Sequence, residues 1–367
     1  MMLVQAAKTR YPGPMHESHA HLWPGVPLAL GAAVLFGASA PLSKLLIGSI
    51  DPWILAGVLY LGAGFGLAAI HWGRRMFGMP NVEAPLHRAD LLWLAAVIFS
   101  GGMLGPLFLM LGLSQTSAAS GSLLLNLEGL ATMAIAWVIF RENVDKRLLI
   151  GAGAILTGAV LLSWNGHGLR LDTGGLFIAA ACLCWGIDNN LTRKLSSADP
   201  VQIAMIKGLV AGCTNFVLAL TLGAALPSAG LIASAAVVGF LGIGASLVMF
   251  MLGLRHLGTA RTGAYFSLAP FIGAALSLVL FREGLTVQFS AAGLLMALGL
   301  WLHLSERHEH EHTHEALEHD HAHTHDDHHQ HPHDGTVIEP HSHWHRHAPM
   351  RHKHPHYPDL HHRHSHR

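Results

Sequence analysis

Apolar residues run along this chain in long blocks from Trp23 to Leu304, and the stretch from 306 to 367 is nearly all polar. Short polar punctuation separates the blocks at Asp51-Pro52, Arg74-Arg75, Glu142-Asn143, Asp172, Asp199-Pro200 and Arg282-Glu283. A helix needs about 20 mostly apolar residues to cross hydrocarbon. The pattern predicts ten such helices: 27–47, 53–72, 91–113, 118–140, 147–164, 174–193, 201–222, 231–253, 261–281 and 286–304. Small residues recur within them, as in Gly208-x-x-x-Gly212 and Gly239-x-x-Gly242-x-Gly244, and let helices approach closely in lipid. A soluble bundle would carry charge on its outer faces, and these segments do not.

The apolar body reads as one unit written twice. Thr116 to Glu142 ends Trp137-Val138-Ile139-Phe140-Arg141-Glu142, and Gly258 to Glu283 ends Leu278-Val279-Leu280-Phe281-Arg282-Glu283. Phe36-Gly37 leads through Leu42-Ser43-Lys44 to Asp51-Pro52, as Trp185-Gly186 leads through Leu191-Thr192-Arg193 to Asp199-Pro200. Duplication in a polytopic membrane protein points to a transporter with its site at the repeat interface. Basic residues set the orientation. Lys8, Arg10, Arg74, Arg75, Arg88, Arg141, Lys146, Arg147, Arg193, Lys194, Arg255, Arg261 and Arg307 fall on one side, against Lys44, Arg170 and Arg282 on the other. Both termini are therefore expected in the cytoplasm. Five helices per unit is odd, so the two copies run oppositely through the membrane as an inverted 5+5 repeat.

Composition agrees. The chain is 51% hydrophobic and 12% charged, where a soluble domain carries roughly a quarter charged residues. Net charge is zero, so no basic field recruits nucleic acid. Cys182, Cys184 and Cys213 lie in apolar runs and read as core packing rather than as a disulfide set or a soft-metal pair. Lys8 and Arg10 precede Pro12, Pro14 and His16-x-x-His19-x-His21, not the apolar core of a signal peptide. The chain divides into a polar leader (1–25), two five-helix repeats (26–165 and 172–305) and a tail (306–367). The fold class is an all-α membrane protein with a disordered tail.

Ten spans as five plus five, with Phe-Arg-Glu closing the fourth helix of each half and Gly-rich fifth helices at Gly151-Ala152-Gly153 to Gly158 and Gly293 to Gly299, resemble the EamA-like proteins of the drug/metabolite transporter superfamily. The resemblance covers about 26–304. It implies a secondary transporter, in a family that exports amino acids, metabolites and drugs. It also implies that the first and sixth helices border the central pathway, and that the source is bacterial, with the protein in the inner membrane. One departure is plain: the second copy has Pro270 where the first has Glu128-Gly129. The tail is not part of the family pattern.

A charge in the bilayer core is costly and generally faces a cavity or a partner. Glu128, in Asn126-Leu127-Glu128-Gly129, reads as a proton or cation site, because desolvation opposes its ionised form. A carboxylate bonded to a neighbouring helix for packing alone is the plainer alternative. Asp188-Asn189-Asn190 puts three polar side chains around more than half a turn of the sixth helix. Asp188 is a candidate second coupling carboxylate, and Asn189, Asn190 and Asn126 are candidate substrate contacts by hydrogen bonding. The competing reading neutralises Asp188 with Arg193-Lys194 at a helix end. Lys207 is a candidate partner for Asp188 or Glu128, a ligand for a substrate carboxylate, or a side chain that snorkels to the cytoplasmic face. No catalytic set and no phosphate loop stands out, so the chain does not read as an enzyme. Transport then runs on an ion gradient or downhill.

Of 31 histidines, 23 lie between His308 and His366, often spaced His-x-His. His308, His310, His312 and His314, then His319, His321, His323 and His325, form strings of imidazoles interleaved with Glu309, Glu311, Glu318 and Asp320. Such strings suit nickel, cobalt, zinc or copper, and the composition predicts disorder in the metal-free state. No cofactor is required for transport. The expected function is proton-linked export of a small solute across the inner membrane. The alternatives are efflux of divalent nickel, cobalt or zinc with the tail as collector or sensor, and a membrane-anchored metal store or sensor. The expected partners are the bilayer and the solute or metal substrate, with no nucleic acid; a homodimer is compatible with the sequence.

Overall fold

The computed structural model describes residues 24–78, 86–140, 144–164, 172–192, 195, 199–257, 259–305, 309–314, 317–323, 341–347 and 350–355. The body is helical. α1 (Gly25–Leu46) and α2 (Pro52–Met76) come first. A run from Leu91 to Gln115 follows, made of α3 (Leu91–Val97), a π-helical segment (Ile98–Leu104) and α4 (Gly105–Gln115). Then come α5 (Ala118–Leu124), α6 (Leu127–Phe140) and α7 (Lys146–Leu162). The second unit repeats the scheme: α8 (Thr173–Thr192), α9 (Pro200–Thr221), α10 (Ala229–Gly239), a second π segment (Phe240–Ala245), α11 (Ser246–Leu257), α12 (Thr259–Phe266), α13 (Ala269–Phe281) and α14 (Val287–Leu304).

Among the described residues, eight helical stretches are long and apolar enough to cross a membrane: Gly25–Leu46, Pro52–Met76, Leu91–Gln115, Ala118–Phe140, Val201–Thr221, Ala229–Leu254, Arg261–Phe281 and Val287–Leu304. The fifth and sixth predicted segments are also helical, as α7 and α8. α7 is short, with 17 residues, and α8 carries Asp188-Asn189-Asn190. Large apolar side chains such as Phe65, Leu92, Val138, Ile139 and Leu294 face outward, as hydrocarbon solvent permits.

The sequence duplication has physical counterparts. Asp51 and Asp199 cap α2 and α9 in the same way: each carboxylate accepts from the two backbone N–H groups after a first-turn proline, Trp53 and Ile54 in one case, Val201 and Gln202 in the other. Each unit has a π segment in its third helical stretch and a break in its fourth, at Leu125-Asn126 and Ser267-Leu268. Packing follows suit. α2 crosses α9, α7 lies along α14, α4 packs on α8 as α11 does on α1, and α6 packs on α8 as α13 does on α1. The α2–α9 crossing is close because a Cβ at Gly208 or Gly212 would strike the backbone of Gly64 or Leu61. The main core, with Ile54, Leu55, Leu113, Leu124, Ile178 and Met296, draws on both units.

The leader before Pro24 lies outside the described residues. In the tail, β1 (Glu309–His314) pairs antiparallel with β4 (Met350–Pro355), and β2 (Leu317–His323) pairs antiparallel with β3 (His341–His347). The His-x-His spacing has the two-residue period of a strand, and the register sets His319 opposite His345 and His321 opposite His343.

Candidate functional site

The break between α5 and α6 determines where Glu128 sits. Leu125 and Asn126 form a turn, and α6 restarts at Leu127, so Glu128 lies in the first helical turn. Helix N-termini favour a carboxylate there. Pro270 holds the corresponding place near the start of α13, where its missing N–H costs no hydrogen bond. The sequence mismatch of Glu128 and Pro270 is thus two uses of one broken-helix geometry.

Around Glu128 the structure gathers side chains from α2, α6, α8 and α9. Asn189 Nδ2 donates to Glu128 Oε1 at 3.1 Å and to Thr132 Oγ1 at 3.2 Å. On the next face of α8, Asp188 is buried and forms an ion pair with Lys207 Nζ of α9. Thr192 Oγ1 donates to the other Asp188 oxygen at 3.2 Å. Lys207 therefore turns inward to Asp188 rather than snorkelling. The Arg193-Lys194 alternative lies outside the described residues.

The two carboxylates differ in their direct partners. Asp188 has a cation of its own. Among the described residues, the hydrogen bond to the Glu128 carboxylate comes from the neutral amide of Asn189. A carboxylate in low dielectric without a dedicated cation is the group that a proton or a cationic ligand neutralises.

The other candidates divide. Asn190 is 2% exposed, and its Nδ2 donates to Thr132 O and Gly186 O, so its amide ties α8 to α6. Its Oδ1 is buried without a hydrogen-bond partner among the described residues. Asn126 donates to Leu123 O at 2.8 Å and meets Met296 Sδ at 4.0 Å, at the helix break and away from Asn189. Asn189 alone of the three asparagines is brought onto the carboxylate. Cys182 is buried, its Sγ 3.7 Å from Leu124 O, and Cys184 is buried too, as packing predicts. Cys213 is exposed. His308 and His325 lie outside the described residues, while His310, His312, His314, His319, His321 and His323 stand in strands.

Tyr60, Thr132 and Gly101 were not singled out from the sequence, and Trp185 was read only as part of the repeat. The π segment frees carbonyls from the helix ladder, and partners must be found inside the protein. Tyr60 Oη and Trp185 Nε1 both donate to Gly101 O, at 2.9 Å and 3.0 Å, and Asn215 Nδ2 donates to Met103 O at 3.1 Å. Gly101 also lies against the Asp188 carboxylate, where a Cβ would collide. Ser100-Gly101-Gly102 inside an apolar run was the available signal.

An uncharacterised transporter of Methanothermobacter thermautotrophicus is 28% identical over 296 residues, covering 77% of this chain and 86% of that protein. A probable amino-acid metabolite efflux pump of Salmonella typhimurium is 25% identical over 181 residues, covering 48% of this chain and 56% of the pump. A solved crystal structure shares the fold at TM-score 0.56 and 17% identity, covering 76% of this chain and 95% of its own. The model of the EamA-like transporter family matches residues 23–164 and 172–305. With both helical units matched, the chain belongs to the EamA-like transporter family.

Proposed function

We propose that this membrane transporter exports a small organic solute in exchange for protons, with Glu128 as the coupling carboxylate. The observation that carries the reading is the division of charge at the site: Asp188 is paired with Lys207, and Glu128 is held by the neutral Asn189. Protonation of Glu128 and binding of a solute ammonium are then alternative ways to neutralise one group. Competition between proton and solute for such a group is what couples them. Asn189 orients the carboxylate and is placed to contact the solute. Tyr60 and Trp185 hold the π segment that shapes the site.

The membrane architecture in this reading is ten spans as an inverted 5+5 repeat, with α7 and α8 as the fifth and sixth. Paired caps, paired π segments and paired breaks support it. The excess of basic residues on one side puts both termini in the cytoplasm and the protein in the inner membrane. The amino-acid metabolite efflux pump among its relatives favours a zwitterionic or amine-bearing solute.

Efflux of nickel, cobalt or zinc is the second reading, favoured by histidines placed opposite one another in the tail register. Inside-out vesicles bearing the full chain, or a chain ending at Ser305, discriminate the two. A proton gradient dissipated by an amino acid or metabolite, equally in both chains, supports organic export. Dissipation by a metal, weakened by truncation, supports metal efflux.

A further inference from the structure

Glu283 lies just beyond α13, after Arg282, whose φ of 50° ends the helix in the left-handed region. Its carboxylate reaches into the other unit. Oε1 accepts from Ala118 N at 3.0 Å and Oε2 from Ala119 N at 3.3 Å. These are the first two N–H groups of α5, which have no acceptor within their own helix. Beside them, Lys44 near the end of α1 donates to Leu113 O and, at 2.9 Å, to Thr116 O, at the end of α4. An acid thus sits on a helix N-terminus and a base on a helix C-terminus, each at the dipole end of opposite sign. The two groups also interact electrostatically with each other.

Beneath these contacts α5 packs on α13 across the two units. The fit is tight: a Cβ at Gly273 of α13 would strike Gly37 O of α1 and crowd Ser122 of α5. Ser122 Oγ is fully buried there and has no hydrogen-bond partner among the described residues. The repeat equivalents of α5 and α13 are α12 and α6. Among the described residues α12 and α6 do not share a comparable interface. Among the described residues the bundle is fastened at the α5–α13 end; Glu142 and Arg193, the repeat equivalents of Glu283 and Lys44, lie outside them.

We propose that Glu283 and Lys44 are the positioning residues of the outer gate, fastening α5 to α13 and releasing them when the transporter opens outward. The purpose of this gate rests on the transporter reading above, and its place on the outer face rests on the distribution of basic residues. On opening, Glu283 leaves Ala118 and Ala119, those N–H groups pass to water, and Ser122 becomes accessible. The gate residues touch neither Glu128 nor Lys207, so they set access rather than coupling.

The test uses the full chain in right-side-out vesicles, with Cys182, Cys184 and Cys213 replaced by alanine and Ser122→Cys as reporter. The rate of its modification by a charged, membrane-impermeant methanethiosulfonate is measured. The proposal predicts slow labelling with the gate intact, and labelling at least about tenfold faster with Glu283→Gln or Lys44→Gln, since tenfold corresponds to losing one charge-assisted contact. Glu283→Asp should restore part of the protection. Ala118→Pro removes a single donated N–H at a helix position that tolerates proline, leaves both charges intact, and should also speed labelling; it serves where a charge variant does not elute as a folded species. Equal rates in the parent and in every folded variant would overturn the gate. Faster labelling in vesicles whose parent chain moves no protons with any solute would retain the gate and remove the proton-coupled reading; unchanged labelling beside normal proton-linked transport would do the reverse.

Discussion

Lys207 Nζ of α9 and Asp188 Oδ2 of α8 form an ion pair one residue along the chain from Asn189, which holds Glu128. Their side chains are 18% and 6% exposed, so each charge depends on the other. Lys207→Met should cost about 3 kcal/mol or more, because it strands a buried carboxylate. Lys207→Met combined with Asp188→Asn should recover most of that loss. Thermal unfolding of the purified protein checks both. An unchanged midpoint for Lys207→Met alone would count against the pair.

Gly101 O takes two hydrogen bonds, so its donors should back each other up. Tyr60→Phe should cost about 1 kcal/mol and Trp185→Phe a similar amount, since one donor remains in either case. The double variant orphans a buried carbonyl and should cost more than the sum. A double-mutant cycle of unfolding midpoints measures the excess, and simple additivity would mean that the carbonyl finds another donor.

The α2–α9 crossing depends on the absence of side chains at Gly208 and Gly212. Gly208→Val should force the helices apart at a cost of about 1–3 kcal/mol and lower the yield of monodisperse protein. Gly230→Val, at an open position on α10, is the control and should be tolerated far better.

Helix positions were legible because long apolar runs and capped polar breaks state them directly. Asp51-Pro52 and Asp199-Pro200 announce a helix start, and both deliver one. The π segments and the breaks at Leu125-Asn126 and Ser267-Leu268 were not legible. Hydropathy stays high through them, and only Pro270 and the glycines mark them. Glu128 was visible as a lone acid in an apolar run, but whether Lys207 pairs with it or with Asp188, or snorkels, was open. Arg193-Lys194 was an equally good match for Asp188 on sequence alone, and it is Lys207 of α9 that reaches it. The hydrogen-bonding roles of Tyr60 and Trp185 were invisible because an aromatic residue in a membrane run reads as apolar surface until its polar atom is seen to reach Gly101 O. Glu283 was read only as half of a repeated motif. Its contacts with Ala118 and Ala119, 165 and 164 residues away, are a product of the packing.

The tail carries a separable property. A chain ending at Ser305 should keep the unfolding midpoint of the full protein, since the helical core draws on residues up to Met296. It should lose most of the zinc or nickel bound by the full chain in calorimetry. Only neutral imidazole binds metal, so this binding should weaken as the pH falls below about 6.5. A large drop in midpoint on truncation would show instead that the tail is part of the fold.

The account turns on Glu128 being the group that takes up the proton. The direct measurement compares the parent chain, Glu128→Gln and Asp188→Asn in inside-out vesicles with an imposed proton gradient, on addition of a panel of amino acids and metabolites. The account predicts that a solute dissipates the gradient with the parent chain and that Glu128→Gln abolishes this, and that the same variant, lacking the carboxylate that takes the solute ammonium, also exchanges solute for solute more weakly across vesicles without a gradient. Asp188→Asn should lower the yield of folded protein and leave residual proton coupling. Full proton-linked transport by Glu128→Gln would contradict the account.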